Sequence, residues 1–96
     1  MDLYLIRRHG FASPEALEAA AARSTTEGDK PGSGVRWIRS YVVPEQDGGV
    51  GTLCVYEADS PETIRRHAAA SEMSADDITP VLDTVIVRPD PVAAQA

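Results

Sequence analysis

The sequence predicts an α+β fold of the ferredoxin-like kind, with strands and helices in the order βαββαβ. Two observations support this prediction. The tripeptide Ser-Pro-Glu at residues 13–15 recurs at residues 60–62, and each copy follows a strand pattern and opens an alanine-rich helix. A strand–helix–strand unit used twice gives a four-stranded antiparallel sheet with two helices on one face. A chain of 96 residues also has only enough apolar surface for one core.

The first half of the chain contains a strand, a helix and a loop. Residues 3–8 are largely apolar and predict the first strand. Ser13 suits the N-cap of a helix and Pro14 suits its first turn, so we predict a helix over residues 14–23. Three glycines and a proline between residues 25 and 34 predict a loop.

The second half repeats the arrangement after a hairpin. Residues 35–43 and 50–58 are rich in β-branched and aromatic side chains, and the turn-forming residues 44–49 separate them. Ser60 opens a second helix, predicted over residues 61–71, and residues 81–88 predict the last strand. We therefore expect a domain over residues 1–88 and a flexible tail over 89–96.

Several predicted strands are apolar on both faces, notably at residues 3–6, 53–56 and 85–87. An antiparallel strand with one face in water should alternate apolar and polar residues. The helices cover one face of the sheet, and a large apolar area would be left on the other. A second copy of the chain or a bound small molecule could cover it, and we favour a homodimer joined through the sheets.

The charge and the cysteine content exclude several classes of protein. The net charge is −6, with fifteen acidic and nine basic residues, so binding to nucleic acid is not expected. Cys54 is the sole cysteine, which leaves no intrachain disulfide. The apolar run at residues 3–6 is too short for a signal peptide, and no run approaches a membrane span. We expect a cytoplasmic protein that does not bind membranes.

Four segments carry a resemblance to a known family: Tyr4-Leu5-Ile6-x-Arg8, Val35-Arg36-Trp37-x-x-Ser40-Tyr41-Val42, Cys54-x-Tyr56-Glu57-Ala58 and Ile64-x-x-His67-Ala68. Over residues 1–88 the chain resembles a bacterial family of small ferredoxin-like proteins of unknown function, one of which is described as nickel-binding. The resemblance implies the same fold and nickel as a cofactor. Arg7 stands where the family has an acidic residue, so we expect weaker metal binding here, because its charge repels a cation.

The two histidines are the strongest candidate metal ligands, because imidazole suits nickel, copper and zinc. His67 belongs to the family motif, and it is either a ligand or a packed side chain at the edge of the core. His9 ends the first strand, where the predicted topology brings the hairpin turn and the end of the second helix. The acidic residues expected near it are Glu45, Asp47, Glu72 and Asp76, and the alternative is an ordinary solvated loop.

Aromatic residues and the cysteine suggest a second surface. Cys54 and Tyr56 share one strand face, and Trp37 and Tyr41 are expected to point together. These four residues would pack a dimer or line a ligand cavity. No catalytic motif is present, so a non-enzymatic binding protein is favoured. The alternative is a dimeric α+β barrel enzyme, similar to a monooxygenase or cyclase, in which Tyr56, Arg39 or His67 acts on a hydrophobic substrate.

Overall fold

The computed structural model describes residues 1–75 and 77–91. Its elements are β1 (Asp2–Phe11), α1 (Pro14–Gly28), β2 (Val35–Pro44), β3 (Val50–Ala58), α2 (Pro61–Ala70) and β4 (Asp77–Pro80). The candidate ligand Asp76 and residues 92–96 of the predicted tail lie outside the described residues. The division of the chain at residue 88 stays a prediction.

The four strands form one sheet in the order β2-β3-β1-β4, and every neighbouring pair is antiparallel. The two helices follow β1 and β3, as the repeated Ser-Pro-Glu segments predicted. The predicted ferredoxin-like fold class is therefore confirmed.

The core lies between the sheet and the helices. Alternate residues of β1 point into the core, so Tyr4, Ile6 and Arg8 are buried. The residues between them, Leu5 and Arg7, are only partly buried. Tyr4 and Ile6 lie opposite Tyr56 and Cys54 of β3. Ile64 of α2 is fully buried against this layer. Burial of one such side chain contributes about 1.5–3 kcal/mol to stability.

Helix α1 is longer than predicted and ends at Gly28 rather than near residue 23. The hydroxyl groups of Thr25 and Thr26 donate to the carbonyl oxygens of the residues four positions earlier, both at 3.0 Å. Both threonines therefore continue the helix, with their hydroxyl groups bonded to the preceding turn, instead of opening a loop. The predicted loop is shortened accordingly.

The last strand is misplaced in the prediction: β4 spans Asp77–Pro80, and residues 81–88 form no strand. The register explains this difference. Pro80 lies opposite Tyr4, and the amide of Val81 donates to the carbonyl of Leu3 at 3.0 Å. Because β1 begins at Asp2, which this register places opposite Leu82, the chain beyond Leu82 has no further partner on this strand.

The prediction that Trp37 and Tyr41 point together is wrong. Strand β2 has an irregularity between Trp37 and Arg39, so Trp37 lies opposite Tyr56 and Tyr41 lies opposite Leu53. One extra residue in a strand reverses the faces of the residues that follow it. Trp37 therefore lies on the helix-covered face, and Tyr41 lies on the opposite face, here called the open face.

Among the residues that the structure describes, no helix is long and apolar enough to cross a membrane.

The two helix caps give a first prediction. The hydroxyl oxygen of Ser13 accepts from the amide of Ala16 at 3.1 Å, and that of Ser60 accepts from the amide of Thr63 at 3.2 Å. Ser13→Ala and Ser60→Ala should each lower the free energy of unfolding by about 1 kcal/mol in urea denaturation. Ser60→Asp keeps an acceptor and should remain near the wild type. Unchanged stability in both alanine variants would contradict the capping role.

Candidate functional site

Four polar side chains meet between the sheet and the helices. They come from four different elements, and all are buried: Arg8 of β1, Ser24 of α1, Tyr56 of β3 and His67 of α2. The hydroxyl oxygen of Ser24 lies 2.8 Å from the Tyr56 hydroxyl and 3.0 Å from His67 Nε2. The guanidinium carbon of Arg8 lies 5.5 Å from the centre of the Tyr56 ring. We call these four residues the buried polar cluster.

Strand pairing and ring stacking hold Tyr56 in the middle of the cluster. Its ring stacks on Trp37 at 6.0 Å with an interplanar angle of 6°, and it is tilted by 56° to the His67 ring at 5.7 Å. The hydroxyl of Ser24 carries one proton, so it donates to one of its two neighbours and accepts from the other. The three side chains therefore form a continuous hydrogen-bonded chain from β3 through α1 to α2.

The surroundings keep both ends of this hydrogen-bonded series, His67 and Tyr56, uncharged. Burial lowers the pKa of His67, and the nearby charge of Arg8 lowers it further, while Glu27 opposes them. Burial raises the pKa of Tyr56, although the hydrogen bond with Ser24 and the charge of Arg8 act against this. At neutral pH the cluster therefore holds a neutral imidazole, a neutral phenol and one positive charge, that of Arg8.

A cavity of about 390 Å³ lies beside this cluster, between α1 and β2, and we call it the helix-side cavity. Its walls are mainly apolar, and they include Phe11, Leu17, Ala21, Trp37, Ile38, Val42 and Met73. Polar groups also line it, from Arg8, Ser24, Arg39, Ser40, Thr52 and Cys54. The cavity thus combines a large apolar surface with a buried cation.

A separate cluster lies on the open face, at the end of β1. His9 Nδ1 is 2.9 Å from Glu45 Oε1, and the side chain of His9 is half exposed. Arg7 Nη2 lies 3.1 Å from the other carboxylate oxygen of Glu45. Glu45 follows β2 and reaches β1 across Gly51, where an added Cβ would meet its Oε1 at 2.6 Å. Glycine at this position makes the pairing of His9 with Glu45 sterically feasible.

The other predicted metal ligands are not part of this pair. Asp47 accepts from the amide of Gly49 at 2.9 Å and supports the hairpin turn. Glu72 is exposed, and its nearest cation is Arg23 at 3.9 Å. His67 lies in the buried polar cluster rather than beside His9. Within residues 1–75 and 77–91, no group of three His, Cys, Asp or Glu side chains is close enough to hold a metal ion.

The four residues predicted to line a cavity or a dimer face are divided between two surfaces. Trp37 and Cys54 line the helix-side cavity, and Tyr56 is buried beside it. Tyr41 lies on the open face, where its hydroxyl donates to Asp90 at 2.6 Å. Cys54 is buried and accepts a hydrogen bond from Ser40 at 2.9 Å.

Sequence reasoning missed Arg8 and Ser24 as functional candidates. The signal for Arg8 was present, because it continues the alternation of Tyr4 and Ile6 on the buried face of β1. Ser24 gave no such signal, since it lay beyond the predicted end of the first helix. Its role depends on the longer α1 that the structure shows.

The fold and these two sites define a class of protein: a ferredoxin-like α+β domain with a buried polar cluster, an adjoining cavity and an exposed histidine–carboxylate pair. The family described as nickel responsive protein SCO4226-like matches residues 4–81 of the chain. The protein belongs to this family, which confirms the resemblance inferred from the sequence.

A solved structure agrees with this assignment. The crystal structure of SCO4226 from Streptomyces coelicolor A3(2) is similar, with a TM-score of 0.67 and 19% sequence identity. The alignment covers 86% of this chain and 99% of that chain. At this identity the likeness supports the fold alone. A comparison with curated proteins gives no match.

The buried imidazole gives a prediction about acid stability. The pKa of His67 is lowered from its ordinary value of 6.5, so the unfolded chain binds a proton that the folded chain resists. This part of the stability is complete above pH 6.5 and should be lost as the pH falls from there toward the lowered value. Urea denaturation at pH 7.5 and 5.5 should show the loss in the wild type and a smaller loss in His67→Gln.

The matched comparison is His9→Gln, which removes the half-exposed histidine and leaves the buried one in place. An equal loss of stability in the wild type and in His67→Gln would show that another group is responsible.

Proposed function

We propose that this protein is a small, cytoplasmic, non-enzymatic protein that binds nickel or another divalent transition metal. The proposed ligands of the metal ion are His9 and Glu45. The observation that carries the proposal is the 2.9 Å approach of His9 Nδ1 to Glu45 Oε1 at a half-exposed position. Imidazole nitrogen and carboxylate oxygen together suit borderline divalent cations. The description of the family as nickel responsive supports the same class of ligand.

The donor set fits an open, water-rich site rather than a closed one. His9 and Glu45 supply one nitrogen and one carboxylate, and a cation would replace the hydrogen that joins them. Arg7 competes for the second oxygen of Glu45 and adds a positive charge nearby. We therefore expect weak binding that depends strongly on the pair and that is lost on acidification, since a ligating imidazole must be deprotonated.

The surroundings of the two histidines favour His9 over His67 as the ligand. His67 is only 5% exposed, and its Nε2 already lies 3.0 Å from the Ser24 hydroxyl. Binding a metal at this nitrogen would break the hydrogen-bonded chain to Tyr56.

The proposed cytoplasmic location is supported by the buried, unpaired thiol of Cys54.

Nickel titration of the untagged protein tests this proposal. His9→Ala and Glu45→Gln should each weaken Ni²⁺ binding by about ten- to a hundredfold or more, because each removes a proposed ligand and loss of a second-shell partner alone costs about this much. Isothermal titration calorimetry at pH 7.5 measures the affinity, and a repeat at pH 5.5 should show release of the ion.

Two control variants separate ligation from other effects. Asp47→Asn removes a neighbouring carboxylate charge but keeps the oxygen that accepts from Gly49, so it should bind nickel like the wild type. His67→Gln removes the other imidazole and should also bind normally. Binding that is unchanged in His9→Ala and Glu45→Gln would refute the proposed site.

We further propose that the protein forms a homodimer through its C-terminal segment, residues 81–91, and the open face. The segment crosses the open face, where Asp90 accepts from Tyr41 at 2.6 Å and pairs with Arg39 at 3.5 Å. A groove of about 650 Å³ remains between the segment and the sheet. Its lining includes Leu3, Ile38, Val55 and Ile86.

The segment itself is rich in exposed apolar side chains, which favours a second copy of the chain as the partner. Leu82 is 96% exposed, and Val85 is 85% exposed. Ile86 and Val87 are also largely exposed. Residues 81–88 have the composition of a strand but no strand partner within the described part of the chain. Pairing of two such segments across a twofold axis would give each its missing neighbour and bury these side chains.

Sedimentation velocity tests the homodimer. The wild type should sediment with about twice the chain mass of 10.3 kDa. Leu82→Asp and Val85→Asp should shift it toward the monomer, because each places a charge in the proposed interface. Val42→Asp is the matched control, since Val42 is exposed on the other face of the sheet. A wild type that stays monomeric at high concentration would contradict the proposal.

A further inference from the structure

The side chain of Arg8 has an incomplete set of partners. It is 1% exposed, and its Nε donates to the carbonyl oxygen of Ser74 at 2.8 Å. Its Nη2 is buried and has no hydrogen-bond partner among the described residues. The same part of the chain offers it no carboxylate, although the protein carries fifteen acidic residues. Arg8 is thus a buried cation whose charge is not balanced by an anion among the residues that the structure describes.

Such an arrangement is costly for a small domain. A buried guanidinium cannot lose its proton, and a buried charge without a partner is strongly destabilising. The face of the Tyr56 ring offsets part of this cost through a cation–π contact. A second hydrogen-bonding anion at Nη2 would offset much more, and Arg8 is one of the residues that line the helix-side cavity.

The cavity has the size and lining of a small-ligand site. Its volume of about 390 Å³ lies within the range typical of such sites. Aromatic and aliphatic side chains form most of the wall, including Phe11, Leu17 and Trp37. The hydroxyl groups of Ser40 and Thr52 are among its polar groups. A ligand with an apolar body and one polar end would match this distribution of side chains.

We propose that the helix-side cavity binds a small apolar monocarboxylate, aromatic or medium-chain aliphatic, whose carboxylate pairs with Arg8. Arginine and carboxylate are both planar and form strong charge-assisted hydrogen bonds. The second arginine at the cavity, Arg39, is exposed and already paired with Asp90, so one positive charge is available. A monoanion is therefore preferred, and the net charge of −6 opposes more highly charged ligands.

This site is independent of the proposed nickel site. Arg8 points toward the helices, whereas His9 follows it on β1 and pairs with Glu45 on the open face. Neither His9 nor Glu45 lines the helix-side cavity. Loss of nickel binding would leave the carboxylate proposal unaffected, and the reverse also holds.

Trp37 provides a direct readout, because it is the only tryptophan of the chain and it lines the cavity. The probes are 2-naphthoate and its uncharged analogue 2-naphthamide, titrated into the untagged wild type and followed by Trp37 fluorescence and calorimetry. We expect one naphthoate to bind per chain, and the amide to bind about tenfold more weakly or worse, because it lacks the charge that Arg8 recognises. Equal binding of the two probes, or binding of neither, would overturn the proposal.

Two variants locate the site without changing Arg8, because Arg8 is buried in the core and its replacement also affects packing. Ala21→Phe fills the cavity from α1 and should abolish naphthoate binding. Ala19→Phe is the matched control, because Ala19 is an exposed residue of the same helix and does not line the cavity. Arg8→Gln, checked for folding by circular dichroism, should bind naphthoate and naphthamide alike. Wild-type naphthoate binding by Ala21→Phe would place the ligand elsewhere and refute the assignment.

Discussion

The pairing of β1 with β3 is the constraint on which the rest of the structure depends. Its register places Tyr4 opposite Tyr56, Ile6 opposite Cys54 and Arg8 opposite Thr52, all on the face that the helices cover. A shift by one residue would turn every one of these side chains to the other face. The core, the buried polar cluster and the floor of the helix-side cavity are therefore set by one strand pair. The helices then complete the cluster by adding Ser24 and His67.

The end of β1 serves two surfaces because neighbouring strand residues point in opposite directions. Arg8 faces the helices and brings a positive charge to the buried polar cluster, where it helps to keep His67 neutral. Arg7 and His9 face the other way and meet Glu45. Three consecutive residues thus supply the cation of one proposed site and the imidazole of the other. This arrangement explains how a chain of 96 residues can hold two chemically different candidate sites.

The open face and the C-terminal segment both carry apolar surface that no other described part of the chain covers. The segment is attached to the open face through Val81 at one end and Asp90 at the other. Between these points its apolar side chains are largely exposed. The sequence led us to expect that a second copy of the chain covers an apolar face of the sheet. In the structure, much of the exposed apolar surface belongs to the C-terminal segment instead. The variants that would test a dimer are therefore in residues 82–87 rather than at Trp37 or Tyr56, which lie on the helix-covered face.

The sequence by itself determined the elements whose signals are local. The caps at Ser13 and Ser60, the hairpin and the alternation along β1 follow from propensities and spacing within a few residues, so the fold class was predictable. The approach of Glu45 to His9 was also foreseen, since topology alone brings the end of the first strand beside the hairpin turn. Only the tertiary structure decided where β4 ends, because that depends on where β1 runs out of pairing positions. It also decided the faces of Trp37 and Tyr41, which one extra residue in β2 separates, and the burial of Arg8 with no carboxylate beside it among the described residues. Such features depend on contacts between distant parts of the chain, and no local pattern of residues encodes them.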